Sequence, residues 1–281
     1  MLSSVCVNVN EHFSSQGIGG IFAATINILL LAIGGNAVSA AFYCFLLSVV
    51  FLSGSILALL FVTKTEFYRH YIKDASSSSD SPSETSPLIG ETTTTSKSIS
   101  VKEVLMSIWA EGLTVLIIYI VTLACFPAMT VLIESTNKNK PGSTSWENQF
   151  FVPVSCFLFY NIGDYIGRFI AASPVIPNIG SKLALVMSTT RIAFIPLFLF
   201  CNLAPHERHV TEVYFYSDGV YIALVFLLSI SNGFLTSVVM VNAPAKVEPH
   251  QQQTASNMMV GILGMGLVLG AAVSGVLVKL L

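Results

Sequence analysis

Charged side chains are scarce in this sequence of 281 residues. They make up 10% of the chain, whereas apolar residues make up 53%. A soluble domain typically carries about 25% charged residues, so the composition excludes a soluble globular fold. The formal net charge is −2 and no basic tract occurs, which excludes nucleic acid as a predicted partner.

Cysteines and metal-ligand clusters are also few. The five cysteines are odd in number and lie mostly in apolar stretches, which argues against a disulfide framework. The sequence contains no metal-ligand spacing, no nucleophile with a nearby base and no glycine-rich phosphate loop. It therefore predicts no metal, no cofactor and no enzyme activity. The first seventeen residues contain no Lys or Arg, so we expect no cleaved signal peptide.

Long apolar segments are what the chain has in abundance. A membrane-spanning helix needs about 20 mostly apolar residues. Seven segments meet this need: 18–36, 40–63, 112–133, 150–172, 182–203, 219–242 and 257–280. The sequence therefore predicts an all-α integral membrane protein with seven transmembrane helices. The tripeptide Gly34-Gly35-Asn36 predicts a tight turn between the first two.

The basic residues between these segments indicate an orientation. If the N-terminus is inside, seven Lys and Arg lie on the inner side and four on the outer side. Inner loops of membrane proteins carry the excess of positive charge, so we expect the N-terminus inside and the C-terminus outside. A seven-helix receptor, which the helix count alone also suggests, has its N-terminus outside.

Residues 74–103 differ in composition from the rest of the chain. Their serine and threonine runs cannot bury enough apolar surface to fold, which predicts a disordered cytoplasmic linker. It separates a two-helix region, 1–73, from a five-helix region, 104–281. Inside the linker, an acidic residue and two aliphatic residues resemble the sorting signals that vesicle-coat adaptors bind: Glu84, Leu88 and Ile89. An adaptor partner and a chance apolar pair both stay open.

An acid and a base lie inside the apolar segment 150–172. On a helix, one face carries Phe157, Asn161, Asp164 and Arg168. Each charge costs about 3 kcal/mol at the centre of a spanning helix, so such residues usually face a bundle interior or a wet cavity. This stripe predicts a solute path through the membrane. A purely structural ion pair stays open.

Five further residues indicate structural or gating roles. Pro127 removes a helical hydrogen bond, which predicts a kink. Gly163 and Gly167 are four residues apart and permit close approach of another helix. Arg191 is a second cation within a span, and Asp164 is the only clear acid in the later predicted spans. Asn232 favours hydrogen bonding between helices.

The chemistry of the stripe suits a polyhydroxylated aromatic solute. A guanidinium only donates hydrogen bonds and a carboxylate only accepts them, so Asp164 and Arg168 together match vicinal hydroxyls. The rings of Phe157 and Phe126 are suited to lie against a flat base. A nucleoside fits this description, and other ligands fit it too.

Several separated motifs follow one another along the chain. They are Gln16-Gly17, Glu66-Phe67-Tyr68-Arg69, Phe126-Pro127-Ala128, Phe151-x-Pro153-Val154-Ser155-Cys156-Phe157-Leu158, Asn161-x-x-Asp164-x-x-Gly167-Arg168, Arg191 with Pro196, and Ser231-Asn232-Gly233. In order and spacing they resemble the equilibrative nucleoside transporter family. The resemblance covers nearly the whole chain apart from the Ser/Thr-rich linker.

The resemblance implies a solute carrier of eleven helices in two bundles related to the major facilitator architecture. This chain matches helices five to eleven, so we expect a partial fold of that kind, without the first four helices. The resemblance also implies that nucleosides contact five residues of the chain: Asp164, Arg168, Asn161, Phe157 and Phe126. It places Pro127 near the same cavity.

From this resemblance we expect a uniporter that moves purine or pyrimidine nucleosides down their gradients by alternating access. We expect it in the plasma membrane, with endosomal or lysosomal membranes as the alternative. Proton coupling through Asp164 stays open. So does a second interpretation, in which the chain is a truncated, non-transporting membrane subunit.

Overall fold

The computed structural model describes residues 18–33, 37–65, 100–173, 179–203 and 213–280. In these ranges the chain is helical without a β-strand, and two isolated bridges pair Ile133 with Leu203 and Cys201 with Phe215. Five helical segments here are long and apolar enough to cross a membrane: Val38–Val62, Trp109–Leu132, Ser181–Leu199, Asp218–Ala245 and Pro249–Leu280. The prediction of an all-helical architecture is confirmed for the described ranges.

The α-helices of the described ranges are named in chain order. They are α1 (Ile18–Ala32), α2 (Ala37–Val62), α3 (Val101–Ser107), α4 (Trp109–Cys125), α5 (Phe159–Ala172), α6 (Ser181–Thr190), α7 (Phe194–Leu199), α8 (Asp218–Ala245) and α9 (Gln252–Leu280). Short 3₁₀ turns lie at Thr130–Leu132, Arg191–Ala193 and Pro249–Gln251, and π-helical turns lie at Trp146–Phe150 and Val152–Leu158.

These helices belong to two compact units. The first combines residues 1–34 with 99–281 and so contains α1 and α3 to α9, while the second, 35–98, contains α2. In the first unit the most extensive helix contacts join α5 to α8 and α4 to α9. The grouping differs from the predicted division into 1–73, 74–103 and 104–281, which stays a prediction. Helix α3 begins at Val101, inside the last residues of the predicted linker.

Two of the seven predicted spans do not form a helix long enough to cross a membrane within the described ranges. The first, 18–36, contains α1, which ends at Ala32. The fourth, 150–172, is π-helical at Val152–Leu158 before α5 begins at Phe159. Pro153 lies in that π-helical turn, and proline has no amide hydrogen for a regular helical bond. The count of seven spans therefore stays a prediction.

The predicted spans 112–133 and 182–203 are each interrupted. The α-helical hydrogen bonding of α4 stops at Cys125, and Pro127 lies in a turn beyond it. The helix is therefore interrupted at Pro127, where the sequence predicted a kink within a continuous helix. In the second span, the 3₁₀ turn Arg191–Ala193 separates α6 from α7.

Two buried apolar clusters pack the first unit. One surrounds Phe198 and Tyr221 and includes Leu228 of α8. The other surrounds Met259 and includes Leu235 of the same helix. Between Leu228 and Leu235, four of the six residues of α8 are polar or small, namely Ser229, Ser231, Asn232 and Gly233. They leave a central zone where buried polar groups of neighbouring helices meet.

Glycines set the close spacing of α5 and α8 in this zone. A Cβ atom at Gly233 would overlap the carbonyl oxygen of Asp164, and one at Gly167 would overlap the carbonyl oxygen of Ile230. A Cβ at Gly163 would overlap the hydroxyl of Ser229. Because backbone atoms cannot move aside as flexible side chains do, the first two positions fix the distance between the helices.

Some predicted features lie outside the described residues. They are the turn at 34–36, the part of the linker between 74 and 99 with Glu84, Leu88 and Ile89, and the motifs at 16–17 and 66–69.

Candidate functional site

The acid and the base of the predicted stripe form an ion pair in α5. Arg168 Nε donates to Asp164 Oδ2 at 2.7 Å. Both side chains are buried, with 10% of the Asp164 side chain and 8% of the Arg168 side chain exposed. The spacing of four residues, with the acid first, brings the two groups together on one helix face. The pair is therefore an intrahelical feature that does not by itself join helices.

Asn232 connects this pair to α8. Its Nδ2 donates to Asp164 Oδ1 at 2.7 Å, so each carboxylate oxygen receives one hydrogen bond. Asn232 is the fifteenth residue of a helix that runs from Asp218 to Ala245, which places it about 20 Å from either end at 1.5 Å per residue. The charged pair therefore lies midway along a helix of membrane-spanning length.

Two more side chains complete the cluster. Thr122 of α4 donates through Oγ1 to Asn232 Oδ1 at 2.8 Å, and it accepts from Arg191 Nη2 at 2.8 Å. Arg191 also donates to the carbonyl oxygen of Leu228 at 3.3 Å. We call Asp164, Arg168, Asn232, Thr122 and Arg191 the central network. It joins α4, α5, α8 and the 3₁₀ turn that follows α6.

The central network has more donors than acceptors. It contains two guanidinium groups, which only donate, and one carboxylate. Within the described part of the chain, two buried nitrogens of Arg191, Nε and Nη1, have no hydrogen-bond partner. A buried donor without a hydrogen bond costs roughly 1–3 kcal/mol of folding free energy. The region therefore favours a ligand that supplies hydrogen-bond acceptors.

The two predicted aromatic residues lie together beside a third. Phe126 stacks on Tyr160, with ring centroids 3.7 Å apart and planes 5° from parallel. Phe157 meets the edge of Phe126 at 5.8 Å and 70°. One face of Phe126 is therefore covered by a tyrosine that the sequence analysis did not single out.

The predicted stripe does not face a single neighbour. Asn161 Nδ2 donates to the carbonyl oxygen of Phe157 at 2.8 Å, and α1 passes so close that a Cβ at Gly20 would overlap the Asn161 side chain. Asp164, by contrast, contacts α8 through Asn232. The residues of the stripe therefore contact different neighbours: Phe157 meets Phe126, Asn161 lies against α1, and Asp164 bonds to α8.

A cavity of about 300 Å³ lies beside Arg191. Its lining is mostly apolar, with a few polar groups: Met187, Thr190, Arg191, Ala193, Phe194, Leu197, Ser231 and Leu235. Asp164 and Arg168 do not line it. The predicted water-filled route beside the ion pair therefore stays a prediction.

A second buried acid was missed in the sequence. Glu111, in the first turn of α4, has no exposed surface. Lys246, at the end of α8, lies with its Nζ 2.6 Å from Glu111 Oε1 and also donates to Ser181 Oγ at the start of α6. We call Glu111 and Lys246 the end pair. Glu111 was not considered in the sequence analysis, because it precedes the predicted span 112–133 by one residue.

These features define the class of the protein. The described ranges contain five apolar helices of spanning length, and three of them contribute side chains to a buried polar network in the first unit. These features are typical of a multi-pass integral membrane protein. A comparison with known families is more specific. Residues 9–279 match the nucleoside transporter family, and the chain belongs to it.

Curated relatives of the chain are equilibrative nucleoside transporters. The chain is 34% identical over 278 residues to equilibrative nucleoside transporter 1 of Rattus norvegicus, and 30% identical over 292 residues to equilibrative nucleoside transporter 2 of Homo sapiens. Each match covers 93% of this chain and 60% or 62% of the relative. The resemblance drawn from the motifs is confirmed. The chain spans about three fifths of the length of these relatives.

Proposed function

We propose that the chain provides part of a facilitative carrier that moves nucleosides across a membrane by alternating access. The observation that carries this proposal is the central network, because it buries two cations and an acid midway along the helices of a nucleoside transporter family member. Ionisable groups at this depth usually mark a substrate or ion pathway. The names of the relatives supply the substrate class and the equilibrative mechanism.

Asp164 and Arg168 bind the ribose in this proposal. An ionised carboxylate accepts about four hydrogen bonds, and Asp164 receives two of them from Arg168 and Asn232. The remaining lone pairs accept from ribose hydroxyls, while the guanidinium donates to the hydroxyl oxygens. Both side chains are buried, so the helices move apart at the network when a nucleoside enters.

The aromatic residues bind the base. Phe157 is half-buried at the edge of the Phe126–Tyr160 stack, which leaves ring surface for a flat heterocycle. Asn161 of α5 lies one turn beyond Phe157 and contributes a side-chain amide at the contact with α1. Gly163, Gly167 and Pro127 act on spacing and gating. Arg191 and Asn232 hold the network in place.

The finer architecture is proposed on the same basis. The chain forms seven transmembrane helices of a partial major-facilitator-like fold, with 1–73 and 104–281 on either side of a cytoplasmic linker. Carriers of this type alternate by moving one helix bundle against another around a central site. The plasma membrane is the proposed location, and Glu84, Leu88 and Ile89 are the proposed contact for a vesicle-coat adaptor.

Uptake by reconstituted protein tests the function. Purified chain in liposomes is expected to take up labelled uridine or adenosine faster than empty liposomes, and to release it when the gradient is reversed. Repeating the assay with and without a proton gradient decides whether Asp164 also relays protons. Uptake no faster than in empty liposomes would reject an autonomous carrier.

The second candidate is a non-transporting membrane subunit that associates with a longer transporter. The observation that favours it is that the chain spans about three fifths of the length of its relatives. It predicts that the chain alone gives no uptake but is co-purified with a full-length family member expressed in the same cells. The seven-helix receptor loses its support, since the family is one of transporters.

A further inference from the structure

The hydroxyl of Thr122 occupies an unusual position for an apolar helix. Several hydroxyls in these helices bond to their own backbone one turn back, as Thr114 does with the carbonyl oxygen of Ala110 at 2.7 Å. Thr122 instead lies between Arg191 and Asn232, at 2.8 Å from each. Its side chain is 4% exposed, so water cannot readily replace either bond.

The direction of these hydrogen bonds is fixed at both ends. A guanidinium only donates, so the Thr122 oxygen accepts from Arg191 and its single hydrogen points to Asn232 Oδ1. The Asn232 amide nitrogen must then face the carboxylate of Asp164, which only accepts. We call this row of hydrogen bonds, from Arg191 through Thr122 and Asn232 to Asp164, the relay. It has one allowed arrangement, and Thr122 supplies its only hydroxyl.

We propose that Thr122 is a positioning residue for nucleoside recognition, because it fixes the Asn232 amide and, through it, the carboxylate of Asp164. This inference rests on the proposed nucleoside carrier function. Without the hydroxyl, Asn232 Oδ1 is left as a buried acceptor without its donor, which favours a different position of the Asn232 side chain. The hydrogen bond from Asn232 Nδ2 to Asp164 is then weakened, and the carboxylate shifts away from the ribose position.

Two substitutions at Thr122 and one matched control test this role. Thr122→Val keeps the shape and removes the hydroxyl, Thr122→Ser keeps the hydroxyl, and Thr114→Val removes a fully buried hydroxyl from the same helix. For uridine uptake in liposomes, T122V is expected to raise KM about tenfold, the effect of losing a hydrogen bond to a charged group. T122S and T114V are expected to keep the KM of the parent. An unchanged KM for T122V, or an equal defect in T122S, would overturn the positioning role.

A thermal unfolding cycle separates the relay from the transport function. The Tm shift of the double variant T122V/N232L is expected to be smaller than the sum of the shifts of T122V and Asn232→Leu alone, because both changes break the same row of hydrogen bonds. The shifts of T114V and N232L are expected to add. A parent chain that moves no uridine overturns the nucleoside part of the proposal, and the cycle then decides the relay alone. Additive shifts for T122V and N232L would overturn the relay.

Discussion

Two ion pairs of the first unit each contain a buried acid and have similar N–O distances, 2.7 Å for Asp164–Arg168 and 2.6 Å for Glu111–Lys246, but they have different neighbours. The first lies within one helix, midway along the bundle, and shares its carboxylate with Asn232. The second joins the start of α4 to the end of α8, and Lys246 is 38% exposed on its side chain. The contacts of the two pairs with α8, at Asn232 and at Lys246, lie about 21 Å apart along the helix axis at 1.5 Å per residue.

This difference separates a pair that suits substrate binding from one that suits stability. The end pair crosses between helices, so it holds α4 and α8 together and has a route to water through Lys246. The central ion pair is formed within α5 and is linked to α8 through the Asp164–Asn232 hydrogen bond, and both of its residues are buried. A buried charge pair is weak support for stability in itself, so its position midway along a membrane protein favours a functional reason.

The largest effect is expected for Asp164→Asn, which keeps the shape and removes the charge. Two buried guanidinium groups then lack their anion, and leaving a buried charge uncompensated costs about 3–5 kcal/mol. Uridine uptake per inserted molecule is expected to fall about 100-fold or more. The control is Asp218→Asn, which removes an acid that accepts from Ser135 and the Thr136 amide at the start of α8. An equal loss of uptake in both variants would contradict a special role for the central pair.

The end pair is expected to respond unequally to the loss of its two members. Lys246→Met leaves Glu111 fully buried and unpaired, so the free energy of unfolding should fall by about 3 kcal/mol. Glu111→Gln leaves a lysine that is partly exposed and can be hydrated, so a loss of about 1 kcal/mol is expected. Denaturant unfolding in detergent measures both. Uptake per folded molecule should stay at the parent value, and a larger loss for Glu111→Gln would contradict the comparison.

A smaller effect is expected from the spacing of the helices. Gly233→Ala places a Cβ against the backbone oxygen of Asp164, so α5 and α8 must separate, at a cost of about 2 kcal/mol. Gly112→Ala, next to the end pair, meets only the tip of Ile262, 2.9 Å away, which can rotate. Thermal unfolding and uptake are expected to be impaired in the first variant and close to the parent in the second. Equal effects would show that the central pair needs no tighter spacing than the end pair.

Local spacing was enough to predict the central pair, and long-range contacts were not. Asp164 and Arg168 are four residues apart, and helix geometry alone puts them on one face. Thr122 and Asn232 are separated by 110 residues, and no pattern in either segment indicates the other. The same holds for Glu111 and Lys246, because pairing across the bundle depends on how the helices pack.

Two other details depended on tertiary packing. Phe126 and Phe157 were predicted to contact the base from the chemistry of their rings and from the family resemblance. The stack of Phe126 with Tyr160 follows from the turn that ends α4. Segment 182–203 was predicted as one span, and its division at Arg191–Ala193 coincides with the point where Arg191 turns inward to Thr122 and Leu228.

The most direct measurement is uridine uptake per inserted molecule by Arg168→Lys. This change keeps the positive charge and removes the planar fork that donates to Asp164 and, in the proposed site, to the ribose. We expect uptake about tenfold below the parent, equivalent to about 1.4 kcal/mol, while membrane abundance and Tm stay near the parent values. Undiminished uptake per inserted molecule together with a lowered Tm would contradict the account and make Asp164–Arg168 a structural pair.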